Sequence, residues 1–212
     1  MTEINYLIPD YYSKFTCIAD RCPITCCQEW KIGVDADTNR KWKKLQAPET
    51  VPEQKKNLSA YTIKKDGQRV IGLDSDHRCP FLNSEKLCRL VVAYGDKVLS
   101  ETCTTFPREE HRFPTHNEKM LMPCCPAVVD LWNKQKSLHF PNVSDTLSDT
   151  SDTDTSVLFL LREKLLNLLD DSSRTIEEEL LESFYILQEL YQHQPLTKEL
   201  LEDYFSDSTV RE

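Results

Sequence analysis

Cys17, Cys22, Cys26 and Cys27 fall within the single stretch CIADRCPITCCQEW, the last two side by side. Cys79, Cys88, Cys103, Cys124 and Cys125 follow, and no cysteine lies beyond Cys125. This density constrains the chain more than any periodicity does, because each thiol must end as core filler, as half of a disulfide or as a metal ligand. A lone intracellular cysteine is usually a small buried hydrophobe, a reading that serves one or two thiols but not easily nine. A disulfide scaffold needs an oxidising compartment, and nine is odd. The start, MTEINYLIPDYYSKF, lacks the basic and apolar regions of a secretory signal, so a reducing cytosol is expected. Metal ligation accounts best for the density. Thiolates bind zinc and iron–sulfur clusters strongly, and ligands from distant segments tie loops together.

The spacing then bears on the metal. Structural zinc sites usually display C-x-x-C knuckles. Here the spacings are C-x4-C, C-x3-C and adjacent pairs. Iron–sulfur sites tolerate such irregularity because each iron takes its own thiolate, so the pattern leans toward iron–sulfur, with zinc as the alternative. The histidines do not sit at ligand spacing with the cysteines, and His77, two before Cys79, reads as a loop residue. Trp30, three after Cys27, reads as a hydrophobic lid over the site. Arg108 closes the stretch TCTTFPR and is a candidate cofactor-binding residue, because its planar fork suits a carboxylate. Its plainer reading is an arginine that braces a loop.

Composition divides the chain. Residues 1–140 hold 21 Lys and Arg against 18 Asp and Glu, whereas residues 141–212 hold 5 against 17. Neither part carries the basic stripe of a nucleic-acid binder, and no apolar run is long enough for a membrane span. The expected organisation is a cysteine-rich module over 1–140, a Ser/Thr/Asp-rich linker over 141–156 and a helical module over 157–212. The linker stretch lacks the central Gly and terminal Glu of a calcium loop. The fold class expected is mainly α, a loop-and-helix module with a small β-hairpin followed by helices. VDADTNRKWKKL reads as a short helix opening at Asp35 or Asp37, and YTIKKDGQRVIGL as a hairpin turning at Asp66-Gly67. EKLCRLVVAYG reads as a helix ending at Gly95. VLSETCTTFPR and KMLMPCCPAVVDLW flank an expected loop bearing His111 and His116, with helix after Pro126.

Beyond 156 the apolar residues recur at helical steps. Val157, Leu158, Leu161, Leu165, Leu168 and Leu169 form one stripe; Ile176, Leu180, Leu181, Phe184, Leu187 and Tyr191 form a second. Thr175 and Glu178 have capping-box spacing, and Pro195 is placed to open a third helix. Both stripes are expected to be core.

In order, CIADRCPITCCQEWKIGVD, RCPFLNSEKLC, LSETCTTFPR and CCPAVVDLW resemble the blocks of the flagellin lysine-N-methylase family over roughly residues 10–135. LLREKLLNLL and IEEELLESFYILQEL are similar to the family's later helices. The resemblance implies methyl transfer from S-adenosylmethionine to lysine side chains of flagellin, in the cytoplasm before export. It also implies a cysteine-bound [4Fe–4S] cluster. Carried over by position, the family cysteines are Cys17, Cys22, Cys26, Cys27, Cys79, Cys88, Cys103 and Cys125, with Cys124 as a spare thiol. Eight exceed the four that one cubane needs, and which four serve is left open. Typical members are longer, so the helical module is read as a shortened one. The competing class is a non-enzymatic protein in which the cysteines hold zinc or a cluster for structure or electron transfer.

Lysine methylation needs the neutral amine, and lysine's reference pKa is about 10.4, so desolvation or a base must help. No acidic residue is singled out by spacing as that base. There is no G-x-G-x-x-G, and four glycines make a glycine-rich cofactor loop unsuited to this chain. The C-x-x-x-C-x-x-C triplet is also absent: Cys22 and Cys26 give its first step, but Cys27 follows at once.

Overall fold

The structure is a computed structural model and describes residues 5–114, 116–135, 153–169, 173–193 and 195–206. The chain divides into two compact units, Met1–Arg112 with His116–Pro141, and Phe113–Thr115 with Asn142–Glu212. Among the described residues there are seven α-helices and five short strands, so the fold is mainly α. Most of the linker stretch lies outside the described residues, and from Thr153 onward it is already helix.

The first unit begins with β1 (Tyr6–Leu7) and continues to α1 (Ala36–Trp42). Asp35 caps α1, its carboxylate accepting the Thr38 amide at 2.8 Å. The strands β2 (Thr62–Lys65) and β3 (Gln68–Ile71) form the expected hairpin. Its turn places Asp66 at φ 49° and Gly67 at φ 76°, the two left-handed positions that a tight hairpin turn requires. The segment Ile32–Val34 adds itself to β3, with Val34 N–H donating to Arg69 O and Ile71 N–H to Ile32 O, each at 2.9 Å. Gly33 is needed there, because a Cβ would sit 2.9 Å from Thr102 Oγ1.

Two short helices follow, α2 (Arg89–Tyr94), stopped by Gly95 at φ 74°, and α3 (Glu101–Thr105), capped by Ser100. Helix α2 starts later than its sequence suggests. Asn83 Oδ1 accepts the amides of Glu85 and Leu87 at 3.0 and 2.8 Å, which holds the preceding residues in a turn. The stretch expected to be a loop with His111 and His116 is instead a hairpin of β4 (Arg108–Arg112) and β5 (Asn117–Leu121), with β1 parallel to β5. His111 lies in β4, and His116 precedes β5. Helix α4 (Pro126–Asn133) begins at Pro126 as expected.

Two cores hold this unit. The first gathers Ile32, Val34, Trp42, Val51, Leu58, Tyr61, Phe81 and Leu90. Trp42 meets Phe81 edge-on at 5.8 Å and donates to Val98 O at 2.7 Å. The second gathers Tyr11, Phe15, Leu121, Cys125 and Val128, with Phe106, Leu131 and Trp132 at its margin.

The second unit contains α5 (Thr153–Leu168), α6 (Ile176–Gln192) and α7 (Lys198–Ser206). Thr175 and Glu178 form the expected capping box. Helix α7 starts three residues after Pro195, with Thr197 Oγ1 accepting the Leu200 amide at 3.2 Å. The core is Val157, Leu161, Ile186, Leu190 and Leu201. The stripe assigned to the core of α6 is overturned: Ile176, Leu180, Leu181, Phe184, Leu187 and Tyr191 are exposed, as is Leu158 of α5. The buried positions of α6 include Glu179, Ser183, Ile186 and Leu190, an inward face turned from the expected one.

Candidate metal centre

Backbone pairing brings the distant cysteines of the first unit together. The segment around Cys27 runs antiparallel to that around Cys79: Gln28 bridges Arg78, Glu29 N–H donates to His77 O at 2.9 Å, and Cys79 N–H to Cys27 O at 2.7 Å. Leu82 bridges Cys88, and Arg89 N–H donates to Phe81 O at 2.7 Å, which sets Cys88 at the head of α2. Cys103 lies in the first turn of α3, where its amide donates to Ser100 Oγ at 3.3 Å. Asp35 Oδ2 accepts the Glu101 amide at 3.0 Å and fixes α3 to the start of α1. Cys27, Cys79, Cys88 and Cys103 all pack with the first core, and Trp30 packs there too.

The electrostatics follow from this crowding. Cys79 is buried, and desolvation pushes its thiol up to about 12, with Cys88 and Cys103 adding to the rise and the amides of Phe81 and Leu82 opposing it. Cys88 and Cys103 are raised mainly by burial, and each feels Cys26. Cys26 is lowered to about 7 by its hydrogen bond with the Cys27 thiol, against an opposing effect of burial. Cys27 is raised by the same bond, then by burial and by the neighbouring thiols of Cys26, Cys79 and Cys88. Cys26, Cys27, Cys79, Cys88 and Cys103 thus form one set.

The remaining family cysteines form another. Cys125 heads α4 in the second core, and burial raises its thiol, with Cys22 and Cys17 adding to the effect. Cys17 Sγ accepts the Ala19 amide at 3.4 Å, and Cys22 N–H donates to Ala19 O at 3.1 Å, so one tight turn joins them. Lys86 Nζ donates to Cys22 O at 2.9 Å. Cys124 is exposed. Arg108 opens β4 on this second core, its guanidinium 5.1 Å from the Phe15 ring centroid and 5.9 Å from that of Tyr12. Trp30 Nε1 donates to Cys26 O at 2.5 Å, and its ring lies 5.3 Å from Phe106.

None of the nine cysteines is disulfide-bonded. Among the described residues no three His, Cys, Asp or Glu side chains are already gathered as a metal site, so ligation requires the thiols of a set to close in. The donor chemistry nevertheless fits a thiophilic metal: the first set offers five sulfurs, with the Asp96 carboxylate acting on Cys88 from nearby. Sequence reasoning passed over His116. It is 2% exposed, with Nε2 3.1 Å from Glu118 Oε1. Nothing but the β4–β5 pairing, itself hidden in charged residues, marks that pair in the sequence. His77 lies in a turn at φ 58°, exposed, with Nδ1 3.7 Å from Glu29 Oε2.

No protein-family profile matches the chain, and no solved structure matches it. Curated relatives do. The lysine-N-methylases of Salmonella typhimurium strain LT2 and Salmonella choleraesuis strain SC-B67 are each 28% identical over 182 residues, 79% of this chain and 42% of theirs. The flagellar biosynthetic protein FliU of Salmonella muenchen is 29% identical over 140 residues, 61% of this chain and 77% of its own length. The chain therefore spans less than half the length of the two lysine-N-methylases it matches. It is a homologue of these lysine-N-methylase and FliU proteins, which agrees with the resemblance of its ordered cysteine blocks to the flagellin lysine-N-methylase family.

Proposed function

We propose that the first unit is a thiolate-ligated metal module serving protein-lysine N-methylation, with S-adenosylmethionine as methyl donor and flagellin as substrate, in the cytoplasm. One observation carries the metal part: Cys27, Cys79, Cys88 and Cys103, spread over the sequence, share one core, and Cys26 joins their electrostatic neighbourhood. The methylation part is supported by the relatives' names. Cys79 and Cys103, with Cys88 and either member of the Cys26–Cys27 pair, supply the four thiolates of a [4Fe–4S] cluster. Such a cluster supplies an iron centre for holding or activating a cofactor. Trp30, packed on the same core, limits water at the site.

The reading is tested by expressing the chain with flagellin and weighing the flagellin lysines by mass spectrometry, alongside iron and sulfide analysis of anaerobically purified protein. Expected are brown protein, iron and sulfide in equal amounts, and added methyl mass that C79S abolishes. Colourless protein holding zinc, with unmodified flagellin, establishes the non-enzymatic alternative instead.

A further inference from the structure

We infer that the exposed face of α6 is a self-association surface, on which a second copy of this chain packs its own α6 antiparallel about a two-fold axis at Phe184. The inference is independent of the metal reading, since every residue it uses lies beyond the last cysteine.

The face is one continuous stripe. Ile176, Leu180, Phe184, Leu187 and Tyr191 follow one another at steps of four, four, three and four residues, so they line one side of the helix. Leu181 and Tyr185 widen the stripe. All seven are exposed, from Leu187 at 40% to Tyr191 at 79%, although the helix already buries Ile186 and Leu190 on its inward side. The helix is therefore apolar on two faces and covers only one of them. The seven side chains leave uncovered an area on the order of the 800 Å² that each partner contributes to a standard interface, whereas the largest apolar patch of a monomer is usually roughly 300–600 Å².

Charge selects the occupant. The unit holding α6 is acidic, with 5 Lys and Arg against 17 Asp and Glu over residues 141–212. That balance would suit a basic partner if unmatched carboxylates edged the stripe. Along α6 most of them are already engaged: Glu182 pairs with Arg174, Glu189 accepts the Tyr204 hydroxyl, Glu178 is held in the capping box and Glu179 is buried. What is left to cover is apolar and matches a surface like itself. An isologous pair requires that residue i of one copy meet j of the other while j meets i. Run antiparallel, the stripe satisfies this: Leu180 falls against the second copy's Leu187, Ile176 against its Tyr191, and Phe184 beside its own copy. A parallel pair would instead bring the acidic first turns, with Glu177 and Glu178, side by side.

Sedimentation velocity of the reduced full chain, followed over concentration, reads the association. A monomer–dimer equilibrium is expected. F184E should weaken it about thirtyfold or more, the loss of a central aromatic anchor, whereas V92E, at an equally exposed residue of the first unit, should leave it unchanged. In dilute solution, where the copies have parted, these substitutions leave the stability of the unit unchanged, which separates lost contact from lost fold. L180E and L187K, each defective alone, should recover most of the wild-type affinity when mixed, and L180E mixed with L180K should not. Any other pattern of rescue overturns the antiparallel register. A chain that stays monomeric at every concentration, or a dimer that F184E does not weaken, overturns the inference. So does a monomer that takes up a Leu/Lys amphipathic helical peptide on this face, which gives the face to a basic partner.

Discussion

At the scale of residues, Asp35 does more than cap a helix. One carboxylate oxygen accepts the Thr38 amide and the other the Glu101 amide, so a single side chain ties α1 to the helix that carries Cys103. Partial burial works against its charge, but these amides and the Thr38 hydroxyl more than offset that and hold its pKa at about 2, below the usual 3.8. A carboxylate depressed in the folded state stabilises fully above its unfolded pKa and loses that contribution as pH falls through the folded one. The wild type should exceed D35N by up to about 2 kcal/mol above pH 3.8, with the gap closing toward pH 2, in urea unfolding followed across pH. An equal gap at all pH values would show that the charge plays no part. Trp42 offers a second residue-scale test. W42F keeps an aromatic ring against Phe81 but orphans the buried Val98 carbonyl, so it should cost about 1–3 kcal/mol, read as a drop in urea midpoint at unchanged slope. The Asp35 cap was legible because an acidic residue before a helical run has a local meaning. The Val98 acceptor was not, since it lies 56 residues away.

At the scale of elements, legibility followed how much of the pattern was local. The β2–β3 hairpin could be read because Asp66-Gly67 is a chemical requirement of its turn. The β4–β5 hairpin could not: the charged run REEHR along β4, an edge strand of its sheet, gives no alternation of apolar and polar positions. Helix α6 failed for the opposite reason. Leu180, Leu181, Phe184, Tyr185, Ile186, Leu187, Leu190 and Tyr191 put apolar residues on nearly every side, so periodicity permits several inward faces. The structure selects the one centred on Ile186 and Leu190, 1% and 2% exposed. The corresponding prediction separates the two faces. I186A should lower stability by about 2–4 kcal/mol through the cavity it leaves, whereas L181E and F184S, on the exposed face, should change it by about 0.5 kcal/mol or less. Thermal denaturation of the three variants decides it, and a reversed ranking would restore the face first read from the sequence.

At the scale of the whole molecule, the sequence announced that thiols would dominate but not how they divide. Cys22 and Cys26 are four residues apart, yet they join different sets, because the chain passes from the second core to the first between them. Set membership is a property of the pairings Cys27–Cys79 and Leu82–Cys88 and of the turn at Ala19, all long-range or conformational. Those same contacts are what metal binding would reinforce. A ligand that binds the folded state alone stabilises it by about 4 kcal/mol at a thousandfold excess over its dissociation constant. Backbone hydrogen bonds beside the thiols should then exchange with solvent more slowly. On anaerobic loading with iron and sulfide, the amides of Cys79 and Arg89, bonded to Cys27 O and Phe81 O, should gain protection in hydrogen exchange, and a chelator should reverse the gain. C79S/C103S should show no such gain at Arg89. Unchanged protection at both amides after loading would mean that the thiols crowd the first core without gripping anything.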